Sequence, residues 1–224
     1  MMINELYVYI HRFFNSKTRF QFPYDKSLIK QLTDSNGLYV LFEEGEKFEG
    51  MDRIVRIGSH DASFRLVPRL RDHFLSSKQR NSIFRKHIGR CLLSIEKDDY
   101  IHAWNKPFKK KVDKDRYKDI VDLAYEKKFE DKISDHIQEN LSFSLIPKVY
   151  EKTKRDRIEE GLIAILNQSS FKDSSKNWLG NMHPDNRIRE AKIWNIEYLN
   201  GVPLSKEEFT EMVEPYYLFE ADYE

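Results

Sequence analysis

Cysteine is nearly absent: Cys91 is the only one in 224 residues, so no internal disulfide can form. That fits a reducing, cytoplasmic setting. Glycine (8) and proline (7) are both scarce, which excludes collagen-like and linker-like chains. No apolar run approaches the ~20 residues needed to cross a bilayer, so no membrane partner is expected. The first residues, MMINELYVYIHRFF, do not follow the basic-then-apolar order of a signal peptide. Spacings of Cys and His that bind zinc are missing. So are a Gly-rich loop before Lys-Ser/Thr, a GxGxxG turn and a GxSxG elbow. Zinc-binding, nucleotide-hydrolysing, dinucleotide-binding and serine-acyl chemistries therefore have no support.

What is present is an apolar and aromatic content sufficient for a core, at 40% hydrophobic and 13% aromatic residues. A chain of this size buries roughly 70% of its unfolded surface and needs no covalent staple. Net charge is only +1, but it is unevenly spread. Residues 65–90 hold eight Lys/Arg against one acid, Asp72, and residues 106–118 hold seven against two. Residues 207–224 hold seven acids and no base. A basic stripe can follow a phosphate backbone, with the acidic end facing away. Taken alone, each run also reads as a solvated helix face.

Periodicity sets the expected elements. Residues 3–14 carry Leu6, Tyr9, Ile10, Phe13 and Phe14 at helical spacing. Asn36-Gly37 signals a turn into the apolar run 38–42, and residues 53–58 alternate as a second strand. A polar loop between them suggests an antiparallel hairpin. Helical spacing returns at 66–75 and 82–93, and 97–118 is irregular and charged. A long helix, continuous or broken, is expected over 119–140 and a third strand over 141–149. An amphipathic helix covers 158–166, and a last short helix or strand covers 188–199. The expected fold class is α+β, a small, three-stranded, largely antiparallel sheet flanked by helices. Residues 1–33 read as a helical extension and 34–200 as the main domain. Within that domain 97–140 reads as a charged insertion, and 201–224 reads as an acidic tail.

Several motifs follow one another in a set order. Gly37-Leu38-Tyr39 opens the first strand of the hairpin and Arg56-Ile57-Gly58 closes the second. Arg69 and His73 follow four residues apart, so they share one helix face. Glu159-Glu160-Gly161-Leu162-Ile163 then puts a carboxylate near the start of the helix after the third strand. In this order the residues resemble the GIY-YIG nuclease superfamily, over about residues 36–195.

The resemblance implies a metal-dependent endonuclease acting on DNA, with one divalent ion, Mg²⁺ or in its place Mn²⁺. It implies Glu159 as the metal ligand, which suits the few protein ligands Mg²⁺ takes. It puts Tyr39 beside the attacking water; a phenol needs a neighbouring cation to act as a base at neutral pH. Arg69 would grip the scissile phosphate through paired donors, and His73 would relay a proton. Arg56 occupies the slot of the family's second tyrosine, and arginine cannot act as a base. His60 is then a second candidate for the proton acceptor.

Arg65, Arg71, Ser82, Arg85, Lys86 and His87 are candidate DNA contacts, with the wet side of a helix as their other reading. Asn177 is the candidate for the family's asparagine, or else a turn residue. Trp178 and Trp194 read as core anchors and Cys91 as inert core. Arg56 leaves a second function open, a nucleic-acid-binding module without chemistry. A third is a protein-interaction domain using the acidic tail. One active site cuts one strand, so cutting a duplex would call for a homodimer or sequential nicking.

Overall fold

A computed structural model describes residues 2–23, 32, 35–60, 62, 64–76 and 78–217. The last acidic residues, Glu220, Asp222 and Glu224, lie outside that set. The fold is α+β, with nine α-helices among the described residues and one antiparallel sheet.

Helix α1 (Ile3–Asn15) buries Leu6, Tyr7, Ile10, His11 and Phe14 along one face. Strand β1 (Phe20–Gln21) follows. Strands β2 (Gly37–Phe48) and β3 (Met51–Gly58) form the expected hairpin. Glu49 and Gly50 connect them, both at positive φ (47° and 80°). Two successive positive φ values let a two-residue turn match the strand twist. Helices α2 (Leu66–Phe74), α3 (Ile83–Glu96), α4 (Ile101–Trp104), α5 (Lys111–Tyr117) and α6 (Leu123–Asn140) come next. Strand β4 (Leu141–Pro147) leads into α7 (Lys152–Gln168), α8 (Asn186–Ala191) and α9 (Lys206–Met212).

The sheet order is β1-β4-β2-β3, with every pairing antiparallel. It has four strands where the sequence suggests three. β1 is two residues long, Phe20 opposite Phe143 and Gln21 opposite Ser142. A pair that short shows no alternation to read.

β2 lies at the centre of the sheet, between β4 and β3, and is buried on both faces. Leu38, Val40 and Phe42 point into one apolar cluster with α1, α7 and α9. Tyr39 and Leu41 point into the other, with α2, α3, α6 and Trp194. Side chains alternate across a strand, so a continuous apolar run is what two covered faces require.

The residues read as extension, insertion and tail all contribute to these clusters. α1 supplies Ile10 and Phe14, α6 supplies Phe129, Ile133 and Ile137, and the last segment supplies Phe209 and Val213. α6 starts at Leu123, where the Asp122 side chain accepts from the backbone N–H of Ala124 and Tyr125. That cap accounts for its start later than residue 119. Trp104 is fully buried against Gly89, where a Cβ would clash with its ring. Cys91 is buried, and burial pushes its thiol far above the ordinary range.

Candidate active site

A bulge in the β2–β3 ladder prepares the site. Leu41 faces Arg56, but Phe42 faces Ile54, so the register shifts by one residue. Beyond it the outer edge of β3 is capped by residues 194–195. The Trp194 N–H donates to Val55 O (2.7 Å). The Asn195 amide accepts from Ile57 N–H (3.1 Å) and donates to Ile57 O (2.9 Å). The Asn195 side chain thus takes the place of a strand neighbour.

Beside this capped edge opens a cleft of about 540 Å³. Arg56, Ser59 and His60 enter it from the end of β3, and Arg69 from α2. His87 comes from α3, Asp156 and Glu159 from α7, and Asn195 from the capping segment. Cations and carboxylates therefore share one space. Glu159 makes no ion pair among the described residues; the Ser59 hydroxyl donates to its Oε2. Burial raises its pKa above 4.5, and the Ser59 hydrogen bond and the Arg56 charge offset part of that rise.

Tyr39 lies behind the cleft. It is fully buried, directly opposite Gly58 in the ladder. A Cβ at Gly58 would occupy the space of the Tyr39 hydroxyl, so only glycine fits there. That hydroxyl is 2.7 Å from His73 Nε2, and the Arg56 Nε donates to it over a long 3.4 Å. Arg56 Nη1 donates to Trp194 O (2.6 Å). His73 Nδ1 is 2.7 Å from the Ser82 hydroxyl. Burial first, then the charges of Arg69, Arg56 and Arg85, hold His73 well below the ordinary histidine range, so it is neutral. Both its neighbours are hydroxyls, which donate or accept equally well. The Tyr39–His73–Ser82 chain can therefore carry its protons in either sense.

A domain description now fits this arrangement. The GIY-YIG domain family matches residues 3–214. The chain belongs to the GIY-YIG family. Membership in this nuclease superfamily implies nuclease activity, a phosphodiester-cleaving hydrolase. The match includes α1 and reaches past α9. Comparisons with curated proteins and with solved structures found no match.

The other expected residues of this GIY-YIG chain sit as follows. Arg69 lines the cleft; its Nη1 donates to Asn81 O (3.1 Å) and its buried Nε has no partner among the described residues. Arg65 is tied to Asp72 (3.2 Å) and Arg71 is exposed on α2. Lys86 is half-buried, donates to Asn105 O (3.2 Å), and is lowered to about 8 by burial and by Arg90 and Arg80.

Three expectations need correction. Arg85 is interior: it is fully buried, its Nη2 bonds Glu130 Oε2 (2.6 Å), and its Nη1 bonds His73 O (2.9 Å). Reaching a DNA phosphate would strip Glu130 of its counter-charge. Ser82 is fully buried and spends its hydroxyl on capping α3, through the Arg85 N–H, and on His73. Asn177 is exposed and does not line the cleft, whereas Asn195 does.

Ser59 and Asn195 are the site residues that motif reading missed. Ser59 directly follows Gly58, and that adjacency was its only signal. Trp178 and Trp194 are core anchors, both donating Nε1–H to Glu43 Oε2 (3.0 Å).

A divalent cation suits the donors present. Among the described residues no group of three His, Cys, Asp or Glu could form an all-protein cage. Glu159 instead offers a half-buried carboxylate without an ion-pair partner, beside Arg56 and Arg69. One carboxylate with phosphate oxygens and waters is the shell that Mg²⁺ prefers.

Proposed function

We propose that this GIY-YIG chain is a divalent-metal-dependent endonuclease that hydrolyses phosphodiester bonds in DNA. The observation that carries the reading is the convergence of Glu159, Arg56 and Arg69 on one cleft backed by the Tyr39–His73 pair. Glu159 holds the cation, Mg²⁺ or Mn²⁺. What a bound cation supplies is positive charge against the phosphate and the leaving oxygen.

The chain's own residues do the rest. Arg69 lines the cleft and binds the scissile phosphate through its Nη2, which makes no hydrogen bond among the described residues. Arg56 turns its Nη2, which makes no hydrogen bond among the described residues, to the same phosphate. Its long contact with Tyr39 gives way as it does so, and Tyr39 meets the attacking water. His73 Nε2, 2.7 Å from the Tyr39 hydroxyl, holds that hydroxyl in place to orient the water. Ser59 orients the Glu159 carboxylate.

Plasmid cleavage with Mg²⁺ or Mn²⁺ tests the proposal. Wild type cuts, and Glu159→Ala and Tyr39→Phe do not. Cutting by Glu159→Ala at the wild-type rate would refute the assignment. Arg56 in the tyrosine slot favours one other reading, a DNA-binding module without chemistry. That reading expects a gel shift, weakened by salt, and no cleavage with any metal.

A further inference from the structure

Two histidines beside the cleft form a chain whose proton positions are fixed by geometry. His183 Nδ1 is 2.9 Å from the Asp185 backbone N–H. A backbone N–H only donates, so this nitrogen is an acceptor and the neutral ring of His183 carries its proton on Nε2. That Nε2 lies 2.9 Å from His87 Nδ1. The Arg90 Nη1 lies 3.2 Å from the same His87 nitrogen, and a guanidinium also only donates. Two independent donors therefore meet on His87 Nδ1, and the neutral ring carries its proton on Nε2.

That Nε2–H has no acceptor among the described residues, and it is not one of the buried atoms left without a partner. It is thus open to solvent, although the His87 residue is 2% exposed. His87 lines the cleft on the same face of α3 as Ile83, together with Arg56 and Arg69; Asp156 and Glu159 come from α7.

We propose that His87 is a phosphate-binding residue, its Nε2–H donating to a non-bridging oxygen of a nucleic-acid phosphodiester. The proposal rests on the nuclease reading of the cleft. It contrasts with His73, whose two hydroxyl neighbours leave its tautomer free. His73 is built to pass a proton and His87 to hold one. His87 stays uncharged because it is largely buried and most of the charges near it are cationic. Burial comes first, then His183, Arg90 and Arg56; Asp185 opposes them weakly, and the ring is pushed down to about 2. Burial, Arg90 and Arg189 likewise bring His183 to about 4. A charged imidazolium would be a stronger anion binder but would titrate near neutrality. A locked neutral donor keeps its hydrogen bond across that range.

Heteronuclear NMR of protein labelled at its histidines, with the His87→Gln spectrum as assignment, reads the tautomer directly. His87 should show Nε2–H at neutral and mildly acidic pH, and a duplex oligonucleotide added in EDTA should move that proton downfield. Fluorescence anisotropy in the same metal-free buffer should show His87→Ala binding about tenfold more weakly. His87→Gln, which keeps an N–H donor, should recover part of the loss. An Nδ1–H tautomer, a proton unmoved by DNA, or wild-type affinity in His87→Ala would each overturn the proposal. Cleavage by Glu159→Ala is a separate readout. If that variant cuts normally the nuclease reading falls, while the His87 contact is judged by NMR and anisotropy alone.

Discussion

The hydroxyl of Tyr39 lies where a side chain on Gly58 would have to be. The two residues face each other across the β2–β3 ladder, so the contact follows from register and not from loop geometry. Glycine in the second motif is therefore a packing requirement of tyrosine in the first. Gly58→Ala should displace the Tyr39 ring from His73 and cost about 1–3 kcal/mol, the usual penalty of overpacking. Urea unfolding should show the lower midpoint, and cleavage should fall with it. A Gly58→Ala protein as stable and active as wild type would mean the ring has another place to go.

Glu159 gives a prediction in pH. Its carboxyl is raised by burial, and only the ionised form attracts a cation. Cleavage should be lost as pH falls through that raised value, at higher pH than for an ordinary glutamate. Ser59→Ala removes a hydrogen bond that favours the ionised form, so its acid limb should move to still higher pH. Stability without metal has the opposite sense. With the folded pKa above the unfolded one, the contribution of Glu159 is full below the unfolded pKa. It is lost as pH rises through the folded pKa. Glu159→Gln should therefore unfold at a higher midpoint than wild type in EDTA at neutral pH while losing cleavage. A lower midpoint would show that the carboxylate is stabilised by its surroundings, not strained by them.

Arg85 tests the corrected placement. Its ion pair with Glu130 is sealed in, with side-chain exposures of 0% and 3%. Arg85→Met leaves a buried carboxylate uncompensated and should cost about 3–5 kcal/mol. Replacing both partners, Arg85→Met with Glu130→Leu, removes the uncompensated charge and should restore most of the midpoint in urea. The double variant should bind DNA as wild type does. Weaker binding by a stably folded double variant would return Arg85 to the DNA surface.

The difference between Arg85 and Arg69 shows how far the sequence could be read. Both lie in one basic run, and composition treats them alike. Arg69 was placed by its spacing to His73 and by motif order, a local signal. The partner of Arg85 lies 45 residues away on α6, and nothing near Arg85 announces it. The hairpin and α7 were legible because periodicity and turn residues are local. β1 was too short for a period to show. Asn195 was less visible than Asn177 because its role, substituting for a strand neighbour of Ile57, depends on the β3 bulge. Ser82 caps α3 locally through the Arg85 N–H, but its burial against His73 of α2 had no signal in its own helix.

Arg69 makes the last prediction. Its guanidinium lines the cleft, satisfied among the described residues only at Asn81 O. Neutralising one phosphate releases its condensed counterions, so each lost contact lowers the slope of log affinity against log salt by about 0.9 on duplex DNA. Arg69→Gln should weaken metal-free binding, with the loss largest at low salt, and lower that slope by about one such unit. Arg65→Gln, whose charge is already met by Asp72, should change the slope less. Anisotropy titrations across a salt series check both. Equal slopes for wild type and Arg69→Gln would mean that Arg69 does not reach a phosphate. The cleft's grip on the backbone would then rest with Arg56 and the neutral donor of His87.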